Sequence, residues 1–86
     1  MYNSNREDVV LICDNDVMDA IIDKFGVAAK TYANNMTSFK LEVNVAVNHV
    51  FFGWVFGFGG KVRIKSPSNV RDRYLEMVRL ASEPLE

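Results

Sequence analysis

The chain carries one thiol and one imidazole, Cys13 and His49, and these are the side chains whose types suit catalysis. Together they would make a nucleophile–base pair, and with Asp14 and Asp16 they would make a metal site. A metal takes three or four converging ligands, and those two aspartates are the only nearby residues able to complete the set. Cys13, however, closes an apolar run, where a small buried hydrophobe is the usual role. His49 falls on the side of a helical stretch away from its main apolar stripe. Gly57-Phe58-Gly59-Gly60 has the composition of a phosphate-binding loop, but it follows a helix instead of opening one. The helix N-terminus that would hold a phosphate is therefore missing. The expectation is no enzyme, no metal and no cofactor.

Residues suited to binding are better represented. Lys40, Lys61, Arg63 and Lys65 occupy outward positions of two alternating stretches, with Glu42 the one carboxylate among them. They fit either a solvated face or contact with a phosphate backbone or an acidic partner. Residues 37–45 present no aromatic side chain outward, which argues against an RNA-recognition domain with its stacking rings. Arg71 and Arg73 stand in the first turns of the last predicted helix, where the dipole disfavours cations. Such placement points to a partner for at least one of them; the plainer alternative is an exposed salt bridge to Asp72, Glu76 or the acidic first helix. Phe52 and Phe56, four residues apart, lie outside the main stripe of their helix. They either pack beneath the last helix or form an exposed assembly surface. Six phenylalanines and a tryptophan are many for the interior of 86 residues.

Hydropathy defines the elements that must position these residues. Residues 8–13 (DVVLIC) are nearly continuously apolar, which predicts a central strand with both faces at least partly covered. Asp14-Asn15-Asp16 is a cluster of helix caps. The helix that follows, residues 17–25, has its stripe at Val17, Ala20, Ile21 and Phe25, widened by Met18 and Ile22, and Gly26 is its expected stop. Residues 27–33 predict a weaker edge strand, and Asn34-Asn35 a hairpin turn. In residues 37–45, Phe39, Leu41, Val43 and Val45 point one way, and Lys40, Glu42 and Asn44 the other.

Residues 47–58 predict a second helix with its main stripe at Val47, Val50, Phe51, Trp54, Val55 and Phe58, ended by glycines. Residues 61–65 alternate again, with Val62 and Ile64 inward. Ser66 is the expected cap of the last helix, with Pro67 at its first position. That helix carries a stripe at Val70, Tyr74, Met77, Val78 and Ala81, with Leu75 beside it. The element order predicts an α+β fold, a ferredoxin-like split βαβ sandwich (βαββαβ) with an additional C-terminal helix. That fold places the first and third strands at the sheet centre. Residues 1–7 are expected to form a disordered leader, 8–82 a single domain, and 83–86 a tail.

Composition narrows the class further. Apolar residues make up 49% and charged residues 24%, which is globular rather than disordered. A formal net charge of −1 gives no global attraction to nucleic acid, so any such binding rests on a local patch. The N-terminal MYNSNRED is too polar for a signal peptide, and the lone cysteine fits a reducing compartment; the expectation is cytoplasmic. The longest apolar run, residues 50–58, is too short to span a bilayer.

Trp54, Phe58-Gly59, Val62 to Ile64, Pro67 and Arg71 carry a resemblance to a known family. This run resembles the C-terminal extension, or WCX domain, of WYL-domain bacterial transcriptional regulators. There, a tryptophan-bearing helix ends in a Phe-Gly pair, a short strand leads to a proline, and a charged helix with an early arginine closes the chain. The resemblance covers residues 8–82. No WYL or helix-turn-helix segment precedes these residues, so the likeness implies a fragment of a regulator. The second aromatic stripe, Phe52 and Phe56, suggests an extra contact surface.

The resemblance implies a regulatory module acting in dimerisation and effector sensing. Its partners would be the WYL domain and helix-turn-helix of the same full-length protein, and a second copy in a homodimer. Promoter DNA would be reached only through the missing N-terminal part, a nucleic-acid effector is possible, and no membrane is involved. On this reading Lys40, Lys61, Arg63, Lys65 and Arg71 contact an anionic effector, and Phe52 and Phe56 form the assembly surface. The alternative is a free-standing ferredoxin-like domain that binds a ligand or protein. An acylphosphatase-type enzyme would need an arginine-bearing phosphate loop after the first strand, where this chain has Asp14-Asn15-Asp16.

Overall fold

The computed structural model describes residues 6–26 and 29–84. Their order is β1 (Arg6–Asp14), a short 3-10 turn (Asn15–Val17), α1 (Met18–Phe25), β2 (Lys30–Ala33), β3 (Ser38–Ala46), α2 (His49–Phe56), β4 (Val62–Ser66) and α3 (Ser68–Ser82). The fold is α+β: one four-stranded antiparallel sheet in the order β2-β3-β1-β4, with three helices.

β1 and β3 occupy the two central positions and pair along their whole length, from Arg6 opposite Ala46 to Asp14 opposite Ser38. Arg6 and Glu7 are therefore strand residues, which shortens the expected leader. Arg6 is held there by Asn44, whose side-chain and backbone oxygens accept hydrogen bonds from its guanidinium at 2.8 and 2.7 Å. β2 starts at Lys30, and the expected beginning of this strand, Val27-Ala28, lies outside the described residues.

Alternation decides which side of the sheet is sealed. Val9, Leu11 and Cys13 of β1 and Phe39, Leu41, Val43 and Val45 of β3 join Val62 and Ile64 of β4 in one core under the helices. Their neighbours Val10, Ile12, Lys40 and Glu42 are only half-buried on the opposite, open face. The hairpin between β2 and β3 is longer than a two-residue turn. Asn35 Oδ1 accepts hydrogen bonds from the Thr37 amide (2.9 Å) and the Ser38 hydroxyl (2.8 Å), so the asparagine organises a wider loop.

The helices cap and stop for local reasons. Gly26 ends α1 at φ 59°, a conformation that favours glycine. α2 begins where the Asn48 side chain accepts a hydrogen bond from the Phe51 amide at 2.9 Å. Ser66 does not cap α3. It closes β4 and precedes a cis peptide to Pro67, whose carbonyl accepts the amides of Val70 and Arg71, each at 3.1 Å. The 3-10 turn likewise starts without a side-chain cap from Asp14.

The buried arc of α2 differs from the predicted stripe. Phe51, Phe52 and Val55 are buried, while Val50 is 80% exposed and Phe56 is 56% exposed. At about 100° per residue, Phe52 lies about 60° from Val55, Phe56 about 100° and Val50 about 140°. α3 moves the arc toward Phe52: the Tyr74 ring sits 5.7 Å from the Phe52 ring, and the Arg73 guanidinium lies over it at 5.7 Å. On the other side of α2, Trp54 meets Phe25 edge-on at 5.4 Å and Phe58 at 5.0 Å.

Candidate interaction surfaces

The strand register assembles a row across the open face. Tyr32 of β2 is opposite Lys40 of β3, Lys40 is opposite Ile12 of β1, and Ile12 is opposite Arg63 of β4. The Lys40 ammonium lies 5.4 Å from the centre of the Tyr32 ring, a cation–π distance. In the next row Lys30, Glu42 and Val10 are opposite one another in turn, ending at Ser66. The register slips between Val10 and Leu11, leaving Lys65 as the extra residue of a bulge in β4. An aromatic ring, two half-buried aliphatic side chains and the cations Lys30, Lys40, Arg63 and Lys65 thus share one face. This arrangement suits a flat anionic molecule that also carries rings.

A second surface lies beside β4. A groove of about 410 Å³ runs between the glycine turn after α2 and the outer side of α3. Val62 and Ile64 line it with Tyr74, Leu75, Val78 and Phe56. Arg63 and Arg71 stand on its rim. Arg63 donates to the Gly60 carbonyl at 3.1 Å, which draws its head toward this edge, and among the described residues Arg71 has only a loose contact with Asp72 at 3.9 Å. A third groove, of about 630 Å³, lies on the other flank of α3 between Phe52, Met77 and Leu80, with His49 at its margin.

The structure divides the five predicted effector residues. Lys40, Arg63 and Lys65 belong to the open face, and Arg71 joins Arg63 at the groove. Lys61 is drawn away from them: its ammonium meets Asp16 at 2.6 Å, and this carboxylate raises the lysine's pKa. The two assembly residues also separate. Phe52 is 3% exposed and belongs to the core, because Tyr74 and Arg73 cover it, whereas Phe56 stays half exposed over the groove. Of the two early arginines of α3, Arg73 finds its partners within the chain, Glu7 at 3.8 Å and the Phe52 ring.

Cys13 and His49 do not meet. Cys13 pairs with Phe39 near the start of β3, while His49 follows the far end of that strand, on the order of 20 Å away at the rise of an extended chain. The thiol is fully buried, and desolvation, with Asp14 adding to it, pushes its pKa up to about 11. It therefore stays protonated and unreactive at neutral pH. No group of three or more metal-ligating side chains occurs among the described residues.

Tyr32 and Ile12 escaped sequence reasoning as site residues. Tyr32 sits in a short, weakly patterned edge strand, and its place beside Lys40 depends on register. Ile12 gave a signal: an apolar residue on the second side of a central strand marks a face that is not merely solvated.

No helix among the described residues is long and apolar enough to cross a membrane. The sequence profile of the WCX domain matches residues 5–82. No curated protein matches the chain.

Proposed function

The chain belongs to the WCX domain family, and from that premise we propose that it is the C-terminal regulatory module of a WYL-type bacterial transcription regulator. It works in effector sensing and dimerisation rather than in reading a promoter. Its partners are the WYL domain and helix-turn-helix of the full-length protein and a second copy of that protein, in the cytoplasm. The order β2-β3-β1-β4, with a helix after β1 and another after β3, supports the finer reading of the fold as a ferredoxin-like split βαβ sandwich with α3 appended.

The observation that carries the functional reading is the row Tyr32, Lys40, Ile12, Arg63. A row of ring, ammonium, aliphatic side chain and guanidinium complements a ligand with both anionic and planar groups, such as a single-stranded nucleic acid. The ligand would be held between this face and the neighbouring domain. Differential affinity for two arrangements of the dimer would then shift their populations, which is all an effector needs to do. Phe56, with Leu75 and Val78, supplies the apolar surface for assembly.

Two measurements test this reading. The natural reading frame upstream of Tyr2 should encode helix-turn-helix and WYL segments; a frame that starts at Met1 would favour the free-standing binding domain instead. In the full-length regulator, Lys40→Glu with Arg63→Glu should abolish effector binding while promoter binding persists. Undiminished effector binding in that variant would remove the open face from the mechanism.

A further inference from the structure

Among the described residues β4 is an edge strand with no neighbour on its outer side, and the apolar groove of Phe56, Leu75 and Val78 runs along it. We propose that this edge accepts an extended acidic segment of a partner protein, with carboxylates alternating with apolar residues. The inference rests on the reading of Phe56 as an assembly surface, and assigns that surface to a partner protein rather than to the second copy of the regulator.

Charge selects the occupant. Arg63 and Lys65 are exposed on the open-face side of this edge strand, and Arg63 and Arg71 line the groove. A second copy meets a penalty in the central registers. Antiparallel pairing of β4 with β4 centred on Arg63, Ile64 or Lys65 sets Arg63 against Arg63, Arg63 against Lys65, or Lys65 against Lys65. Like charges directly opposite across a strand pair are destabilising, so these registers disfavour a second copy and favour an acidic partner.

An acidic strand meets the opposite situation. Added beside β4, it would satisfy the free backbone edge, set its carboxylates against Arg63 and Lys65, and send its apolar side chains toward Phe56 and Leu75. A nucleic acid would use the cations but neither the strand edge nor the apolar floor.

The test uses a fluorescent synthetic peptide alternating glutamate and valine, followed by anisotropy with the full chain at low salt. Binding is expected, weakening as salt rises, and weakening about tenfold or more in Phe56→Ser and in Arg71→Glu. Lys40→Glu, on the open face, should leave it unchanged. Circular dichroism establishes that each variant is folded. The proposal is overturned by no binding at millimolar peptide, by equal binding of a lysine–valine peptide, or by concentration-dependent dimers of the free chain that Phe56→Ser dissolves. It is also overturned if a single-stranded DNA oligonucleotide binds and that binding is lost in Phe56→Ser. DNA binding that is lost only in Lys40→Glu bears on the open face and leaves the peptide groove intact, so the two proposals fail separately.

Discussion

The two faces of the sheet treat adjacent residues of β1 in opposite ways. Leu11 is fully buried beneath the helices, while Ile12, one residue on, is half-buried on the open side between Lys40 and Arg63. One face is closed by the chain itself, with Phe51, Phe52 and Val55 of α2 seated on it. The other carries Val10 and Ile12 half-buried among charged neighbours, with no helix of the described residues seated on it. An apolar run that alternates poorly therefore says more than that its strand is central: it puts apolar side chains on both faces, whichever of them the helices cover.

The sharpest way to break this contrast is to truncate both neighbours. Leu11→Ala should cost about 2–5 kcal/mol of stability, as fully buried leucines do. Ile12→Ala should cost about 1 kcal/mol, because it is half-buried and part of its surface already meets water. Equal losses in urea unfolding would mean that the open face is closed in solution.

Cys13 sharpens the contrast through pH. Its pKa in the fold is raised from the ordinary value of 9.0 to about 11, so the folded state holds a proton that the unfolded chain releases. Stability from this group is full below pH 9 and falls between pH 9 and 11, by about 2–3 kcal/mol at the upper end. Unfolding of the native chain and of Cys13→Ala across that range should show the steeper decline in the former. A thiol that reacts readily with iodoacetamide at pH 8 would place Cys13 outside the core.

A smaller effect is expected at the start of α2. Asn48→Ala should destabilise by about 1 kcal/mol through loss of the cap on the Phe51 amide. Smaller still, Leu75→Ser on the exposed side of α3 should stay within about 0.5 kcal/mol, although it lines the groove. A larger loss there would show that α3 packs more closely than its single buried residue, Val70, indicates.

Much of this was legible in the sequence where periodicity was strong. The alternation of Phe39, Leu41, Val43 and Val45 identified the inner face of β3, and Gly26 marked the end of α1. Legibility failed where a neighbour distant in sequence decides. Phe52 fell outside the predicted stripe because the stripe was read from α2 alone, and Tyr74 of α3 shifts the buried arc. The stripe of α2 alone puts Val50 inside for the same reason. Alternation groups Lys61 with the outward cations because it cannot foresee an ion pair with Asp16, 45 residues earlier. Nothing within β2 marks Tyr32, because only the register of β2 on β3 brings it to Lys40.

The most direct test of the central claim, that the open face receives an anionic ligand, is an amide NMR titration of the chain with a short single-stranded DNA oligonucleotide. The largest shifts are expected to cluster at Tyr32, Lys40, Ile12 and Arg63, and to disappear in Lys40→Glu. Shifts confined to α3 and the groove beside β4, or none at millimolar oligonucleotide, would contradict it.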